Sequence, residues 1–465
     1  MSCLVLCVCL YQREYLALYN IPDLVLAPIL LQPRKQGIQC SHVDLEAVPG
    51  LIGRVRGQHN PSQWQAIESA MSRDRLVLLQ GPPGTGKTKT IIGIVMAFLE
   101  ATAKDSPEPR KRPRVFVCAP SNAAADEIAL RIMHERGSGN VHDPKIGIPV
   151  VRIGNPGSVH ELVKPVHLEL LIEKKLGDTA KNAVNAKGDQ ELRNGQQEEH
   201  QKLNEDIGNI HVEREKLIGD RQAPDYEQLT VQLKRLHSRK DEVTSAMNAS
   251  FGAMRRARAM AVEMKLKAKL DILNCAQVLC CTLSASGSDA LAEGVRGADL
   301  IIIDEAAQAT EISTLIPLKH LQMNRGRCIL VGDPCQLPAT VLSQAASSLR
   351  YERSLFERLH KCRFPVIMLD TQYRMHPAIR RFPSIHFYEN KLRDSPSVQS
   401  RKAVPYTTRA QNGPCVFWDV RGDETRRGMS WCNTTEAQVV VRALVFACTI
   451  IFVQAAVLLA RTAEV

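Results

Sequence analysis

The first residues able to do chemistry are Gly81-Pro82-Pro83-Gly84-Thr85-Gly86-Lys87-Thr88. Glycines at this spacing let successive backbone N–H groups wrap a phosphate, and a helix opening behind them adds the partial positive charge of its N-terminus. Lys87 is then placed to neutralise β- and γ-phosphates, and the Thr88 hydroxyl to ligate Mg²⁺. Such a loop has meaning only between a strand and a helix. The apolar run Leu76–Leu79 before it and the helical pattern Thr88–Glu100 after it supply both.

Asp304-Glu305-Ala306-Ala307-Gln308 follows a second apolar run, Leu300–Ile303. Adjacent carboxylates are usually plain surface. At the end of a buried strand, downstream of a phosphate loop, Asp304 reads as a Mg²⁺ ligand and Glu305 as the group that orients and deprotonates an attacking water. Gly332-Asp333-Pro334-Cys335-Gln336-Leu337-Pro338 closes a third run, Cys328–Val331. Alone it is an ordinary Gly-Asp-Pro turn. As a third strand-end motif it offers Gln336 as a sensor of the γ-phosphate or of the water beside it.

These residues need a scaffold that ends several strands side by side. Val115–Ala119, Val278–Thr282 and Val366–Leu369 are further strand-like runs, and Ala123–His134 has helical spacing. Strands alternating with helices predict a parallel sheet covered on both faces, with its chemistry beyond the carboxyl ends of the strands. Tyr11–Leu31 reads as a helical lead-in, and Asp105–Arg114 as a Pro-rich basic loop. Between Asn155 and Lys269 charge dominates. Leu203, Ile207, Ile210 and Leu217 share one helical face, as do Leu229, Leu233, Leu236, Val243, Met247 and Met254, with a break at Gly219–Pro224. That pattern predicts two long antiparallel helices.

The 465-residue length holds two or three domains. A 44% hydrophobic and 23% charged composition excludes a wholly disordered chain, and 5% aromatics argues against an aromatic-rich all-β binding module. Sixty Lys and Arg against 49 Asp and Glu leave a net charge of +11, which favours a polyanionic partner. The fourteen cysteines are scattered without zinc spacing and read as free, largely buried thiols of a reducing compartment. Met1–Leu10 is apolar but lacks a basic start and a cleavage site. Ala443–Ala460 is uncharged and just meets the length of a membrane span, although a buried strand–helix pair explains it as well.

Taken together the motifs resemble the superfamily-one helicases, and within them the senataxin and nonsense-mediated-decay helicase group. The resemblance runs from about Gln58 to Leu392. Asn60-Pro61-Ser62-Gln63 resembles the group's Q motif, which implies that Gln63 reads the adenine edge of ATP. Pro120-Ser121-Asn122 resembles motif Ia, and Thr282-Leu283-Ser284 a strand-grip motif. Both imply contact with a nucleic-acid backbone through Pro120, Ser121, Asn122, Thr282 and Ser284. Asp370-Thr371-Gln372-Tyr373-Arg374-Met375-His376-Pro377 is the most group-specific string. It implies that Tyr373 stacks on the ATP base and that Arg374 reaches the γ-phosphate from a second lobe.

The implied fold is α/β: a RecA-like P-loop NTPase with a parallel sheet, a helical-hairpin insertion and an incomplete second RecA-like domain. The expected divisions are a helical lead-in over residues 1–50, a first RecA-like domain over 51–154 and 270–360, and the inserted hairpin over 155–269. A partial second RecA-like domain over 361–438 and an apolar tail over 439–465 complete the chain. Past Glu436 no string resembles the family's later motifs, so the second lobe is expected to be cut short. The absence of zinc-ligating cysteines before the lead-in favours the senataxin-like branch.

The resemblance implies an ATP- and Mg²⁺-dependent helicase acting on single-stranded RNA or DNA in RNA metabolism or transcription termination. It implies a monomer, located in the nucleus or else the cytoplasm, and not a membrane protein. A nucleotide-dependent nucleic-acid-binding module that does not unwind is the second reading. A membrane-anchored ATPase is the third.

Overall fold

A computed structural model of the chain describes residues 2–33, 45, 52–102, 112–135, 148–184, 187–216, 224–291, 295–400, 418–428, 430–445 and 448. The chain divides into two compact units. One comprises Met1–Pro107, Arg112–Ala124 and Gly297–Val465, the other Glu108–Lys111 and Ala125–Arg296.

The first unit is built on β1 (Leu76–Gln80), β2 (Val115–Ala119), β5 (Leu300–Ile303), β6 (Arg327–Gly332) and β7 (Val366–Met368). Two other strands, β3 (Val150–Ile153) and β4 (Val278–Thr282), belong to the second unit. Within the first unit the order is β2-β5-β6-β1-β7 with every pairing parallel, in registers such as Val117↔Ile302, Ile301↔Cys328, Leu78↔Leu330 and Leu79↔Ile367. β1, β2, β5 and β6 are buried along their whole length, as expected of strands covered on both faces. The α/β class expected from the sequence is therefore observed.

Two helices position the phosphate loop. Pro61–Ala70 starts with Asn60 as N-cap, Pro61 in its first turn and a reciprocal capping box between Asn60 and Gln63. Lys87–Thr102 is buried at every position from Thr90 to Leu99 except Met96, so it is enclosed on nearly all sides and not on one face alone. The lead-in is the helix Ser2–Tyr19, a turn at Ile21–Asp23 and the short helix Ala27–Leu31. Buried Glu14 fastens it, accepting from the Ser313 hydroxyl at 2.5 Å and the Tyr351 hydroxyl at 2.9 Å. Beyond β7 a small parallel pair forms between β8 (Thr371–Gln372) and β9 (Arg393–Asp394).

In the second unit β3 and β4 pair in parallel. A buried ion pair, Arg152 to Asp126 at 2.7 Å, braces β3. The helices Lys187–Lys216 and Pro224–Cys275 are antiparallel, as shown by Arg239 against Glu199 at 2.9 Å and by Arg214 over the Tyr226 ring. Leu203, Ile207, Leu233 and Val243 are buried, on the faces that the periodicity marks. A third helix, Leu168–Val184, also packs on Pro224–Cys275, held by Lys175 to Asp271 at 2.9 Å. The expected turn at Gly219–Pro224 and basic loop Asp105–Arg114 fall mostly outside the described residues, as does most of Ala443–Ala460. No helix among the described residues is long and apolar enough to cross a membrane. Cys280 and Cys328 are buried free thiols, and burial pushes the first up to about 12 and the second higher still. Among the described residues no His, Cys, Asp and Glu cluster forms a metal site.

Candidate nucleotide site

The carboxyl ends of β1, β5, β6 and β7 each open into one of the predicted motifs. At β1 the loop folds on itself: Thr85 Oγ1 donates to the Pro82 carbonyl at 2.7 Å, and Lys87 Nζ to the Gly81 carbonyl at 3.1 Å. A Cβ at Gly81 would fall 2.1 Å from Lys87 Cγ, so only glycine lets the lysine stem pass this close. Gly84 has φ +76°, and a Cβ there would stand 2.6 Å from Arg374 Cβ. The loop is thus a cradle of backbone around Lys87, the shape a triphosphate requires.

At β5 Asp304 is buried, and its Oδ1 accepts the Glu305 N–H at 2.9 Å. Glu305 sits at φ 49°, ψ 36°, a left-handed conformation that a residue with a Cβ adopts only at a cost. That twist turns its carboxylate toward the phosphate loop. Glu305 Oε1 lies 3.5 Å from Lys87 Nζ, and Oε2 accepts from Gln308 Nε2 at 3.3 Å. Glu305, the residue after Asp304, therefore lies within ion-pair reach of Lys87.

At β6 the centre is a residue that the motif reading passed over as part of a turn. Asp333 is 1% exposed. Its Oδ1 accepts from Gln80 Nε2 at 3.1 Å and from the Cys335 N–H at 3.2 Å. Its Oδ2 accepts from Gln336 Nε2 at 2.7 Å and from the Tyr388 hydroxyl at 2.6 Å. Gln336 is therefore aimed by Asp333. Burial, with the Asp333 hydrogen bond and charge beside it, pushes the Tyr388 phenol far above its ordinary value and keeps it a donor. Tyr388→Phe removes a hydrogen bond to a buried carboxylate, so an equilibrium urea melt should show a loss of about 2 kcal/mol. An unchanged melt would mean that water replaces the phenol.

Past β7 the loop bearing Arg374 rests on the phosphate loop, with the Tyr373 N–H donating to the Gly84 carbonyl at 2.8 Å. Buried Gln372 shapes it. Gln372 Oε1 accepts the Arg374 N–H at 2.8 Å and the Met375 N–H at 2.7 Å, while Nε2 donates to the Met375 carbonyl and to Asp394 Oδ1, each at 2.7 Å. Asp394 is gripped in turn by Arg380 at 2.9 Å. Burial works to raise its pKa, but hydrogen bonds from Arg380 and Gln372 prevail and hold it below the ordinary carboxylate value. Gln372→Leu strands these groups together. It should destabilise the chain by about 2–4 kcal/mol in a denaturant melt and loosen Arg374, whereas a neutral result would show that the loop finds other partners.

Gln63 is 1% exposed and acts as a strut: Oε1 accepts the Asn60 N–H at 3.2 Å and Nε2 donates to the Thr85 carbonyl at 2.9 Å. Each end of the amide keeps a second hydrogen-bonding position beyond these two. Tyr373 stands partly exposed beside it, its hydroxyl taking Asn60 Nδ2 at 2.8 Å. Pro120, Ser121 and Asn122 follow β2, where Ser121 Oγ accepts the Ala124 N–H at 3.2 Å. In the second unit Thr282 ends β4 and caps the short helix Leu283–Ser286, which contains Ser284.

Residues 58–344 match the model of an AAA domain family, and residues 351–453 match a second AAA domain model that reaches into the apolar tail. The chain is 34% identical to Helicase SEN1 of Saccharomyces cerevisiae over 82% of its length and 35% identical to Helicase sen1 of Schizosaccharomyces pombe over 93%. The chain belongs to the superfamily-one, senataxin-like helicase family. It is also 30% identical to the Probable helicase senataxin of Homo sapiens over 82% of its length. The chain spans 18%, 26% and 15% of these three longer proteins. The two matched stretches contain the phosphate loop, the β5 carboxylates, the β6 glutamine and the Arg374 loop of this senataxin-like chain.

Proposed function

We propose that the chain is the ATP-hydrolysing motor of a nucleic-acid helicase, taking ATP with Mg²⁺ and acting as a monomer on single-stranded RNA or DNA in the nucleus. The observation that carries this reading is the convergence of Lys87, Asp304 and Glu305 at one end of a single parallel sheet, with Arg374 against the same loop. The donor set suits the ligand. The backbone cradle and Lys87 would hold the phosphates, Tyr373 would stack on the base with Gln63 behind it, and Thr88 and Asp304 would hold Mg²⁺. The metal would neutralise phosphate charge.

Glu305 is placed to take the proton of an attacking water, and its salt bridge to Lys87 gives way as the lysine turns to phosphate. Gln336, held by Asp333, would sense the γ-phosphate or the water beside it. Arg374 spreads the charge that develops there. Contacts to the nucleic-acid backbone are assigned to Pro120, Ser121, Asn122, Thr282 and Ser284. The net charge of +11 suits a polyanion, whose binding should weaken steeply with added salt.

The deciding experiment is ATP turnover by the 465-residue chain with and without single-stranded RNA or DNA, using Lys87→Ala as background. Stimulation by the strand that vanishes in the variant is the expected result. Strand binding with no turnover above that background would overturn the motor reading.

A further inference from the structure

Gln336 is half-buried on the loop after β6, and its amide is held by Asp333 Oδ2 at 2.7 Å. It is therefore directed only as firmly as that oxygen is. Rotation about the last bond of an aspartate side chain is soft, so partners and not intrinsic preference set where Oδ2 points. Gln80 Nε2 and the Cys335 N–H hold Oδ1. The remaining grip on Oδ2 is the Tyr388 hydroxyl at 2.6 Å, from 55 positions further along the chain. With these four donors the carboxylate's acceptor positions are filled. Burial, together with the Asp333 hydrogen bond and charge, keeps the phenol protonated, so it stays a donor.

An anchor must itself be fixed, and Tyr388 is. It is 5% exposed and closes the helix Pro377–Phe387, its N–H donating to the Ser384 carbonyl at 3.2 Å. Cys335 Sγ adds a second link, to the Phe387 carbonyl at 3.4 Å. The first half of the same helix is gripped through Arg380, which donates to Asp394 Oδ2 at 2.9 Å and to the Leu392 carbonyl at 3.0 Å. Asp394 in turn takes Gln372, whose Oε1 accepts the Arg374 N–H. One helix of 11 residues, about 16 Å long, thus joins the backbone under Arg374 to the carboxylate under Gln336.

We infer that Tyr388 is a positioning residue for hydrolysis, acting through Asp333 to fix the direction of the Gln336 amide. The inference rests on the placing of Gln336 at the γ-phosphate in the function proposed above. A tyrosine that only supported the fold would affect all nucleotides alike. One that positions Gln336 is felt once the γ-phosphoryl position is filled.

The test uses the intact chain and isothermal titration calorimetry, at a temperature where circular dichroism shows each variant folded. Affinity is measured for ADP with Mg²⁺, and again with aluminium fluoride added to imitate the phosphoryl group in transfer. The native chain should bind more tightly with the fluoride. Tyr388→Phe should lose about tenfold of that gain, the worth of one hydrogen bond to a charged group, at unchanged ADP affinity. Gln336→Ala should lose at least as much, and the double variant no more than Gln336→Ala alone. If Tyr388→Phe fails to fold, Asp333→Asn decides in its place. It keeps the shape but sets an amide NH₂ against the phenol and the Gln336 amide, and should show the same loss. A full gain in the variant, a matching fall in its ADP affinity, or additive losses in the double variant would each overturn the inference. No gain in the native chain, or a full gain in Gln336→Ala, would bring down the γ-phosphate reading and the inference with it, and either shows before Tyr388 is touched.

Discussion

Arg374→Ala is expected to lower strand-stimulated ATP turnover by about 10³-fold or more while leaving ATP affinity nearly unchanged. The reasoning starts from the packing of its loop. The Tyr373 N–H is bonded to the Gly84 carbonyl, and Arg374 Cβ stands where any side chain at position 84 would project. Gln372 holds the backbone of Arg374 and Met375 on its other side. The guanidinium is thus carried on a platform fixed to the phosphate loop, yet the side chain itself is exposed. Such an arrangement contributes most when charge shifts onto the transferred phosphoryl group, which is the condition for a kcat effect without a KM effect. Arg374→Lys should recover little, since an ammonium has neither the fork nor the reach. Steady-state kinetics with a nucleotide-binding measurement separate the two parameters. Turnover within a few-fold of the native chain would place Arg374 outside the transition state, and a matched loss of affinity would make it a binding residue.

The first unit's sheet was legible because its inner strands are buried on both faces and so read as unbroken apolar runs. Leu76–Leu79, Val115–Ala119 and Leu300–Ile303 are observed within one residue of the runs themselves. Motifs begin where those runs stop, so the site's position was legible too. β3 escaped notice: four residues including an arginine give weak strand signal, and Arg152 is tolerated inside only because Asp126 neutralises it. The helix Leu168–Val184 was hidden by its break at Gly177, whose φ of 59° interrupts the helical periodicity. The residues that aim the site were the hardest to see. Asp333 looks like a turn residue and Gln372 like filler between Thr371 and Tyr373. Their importance lies in burial and in partners up to 253 positions away in the chain, such as Gln80 to Asp333. Local spacing carries no such information.

Glu305→Gln is expected to lower turnover by about 10²–10⁴-fold, the range for loss of a positioned general base, while ATP binding holds or tightens. Tightening follows from charge: the carboxylate lies 3.5 Å from Lys87, so it competes for the cation that a triphosphate needs. Backbone conformation offers an independent check. Glu305 occupies a left-handed φ of 49° that glycine adopts freely, and its N–H is held by Asp304. Glu305→Gly should therefore be no less stable than the native chain in a denaturant melt, because relief of strain offsets the added entropy of the unfolded state. It should be as inactive as the glutamine variant. A stable, inactive glycine variant would show that the strain is kept for the carboxylate's direction and not for folding. Turnover reduced less than about tenfold in either variant would assign the base to another group. A large loss of stability in the glycine variant would mean that the side chain is structural.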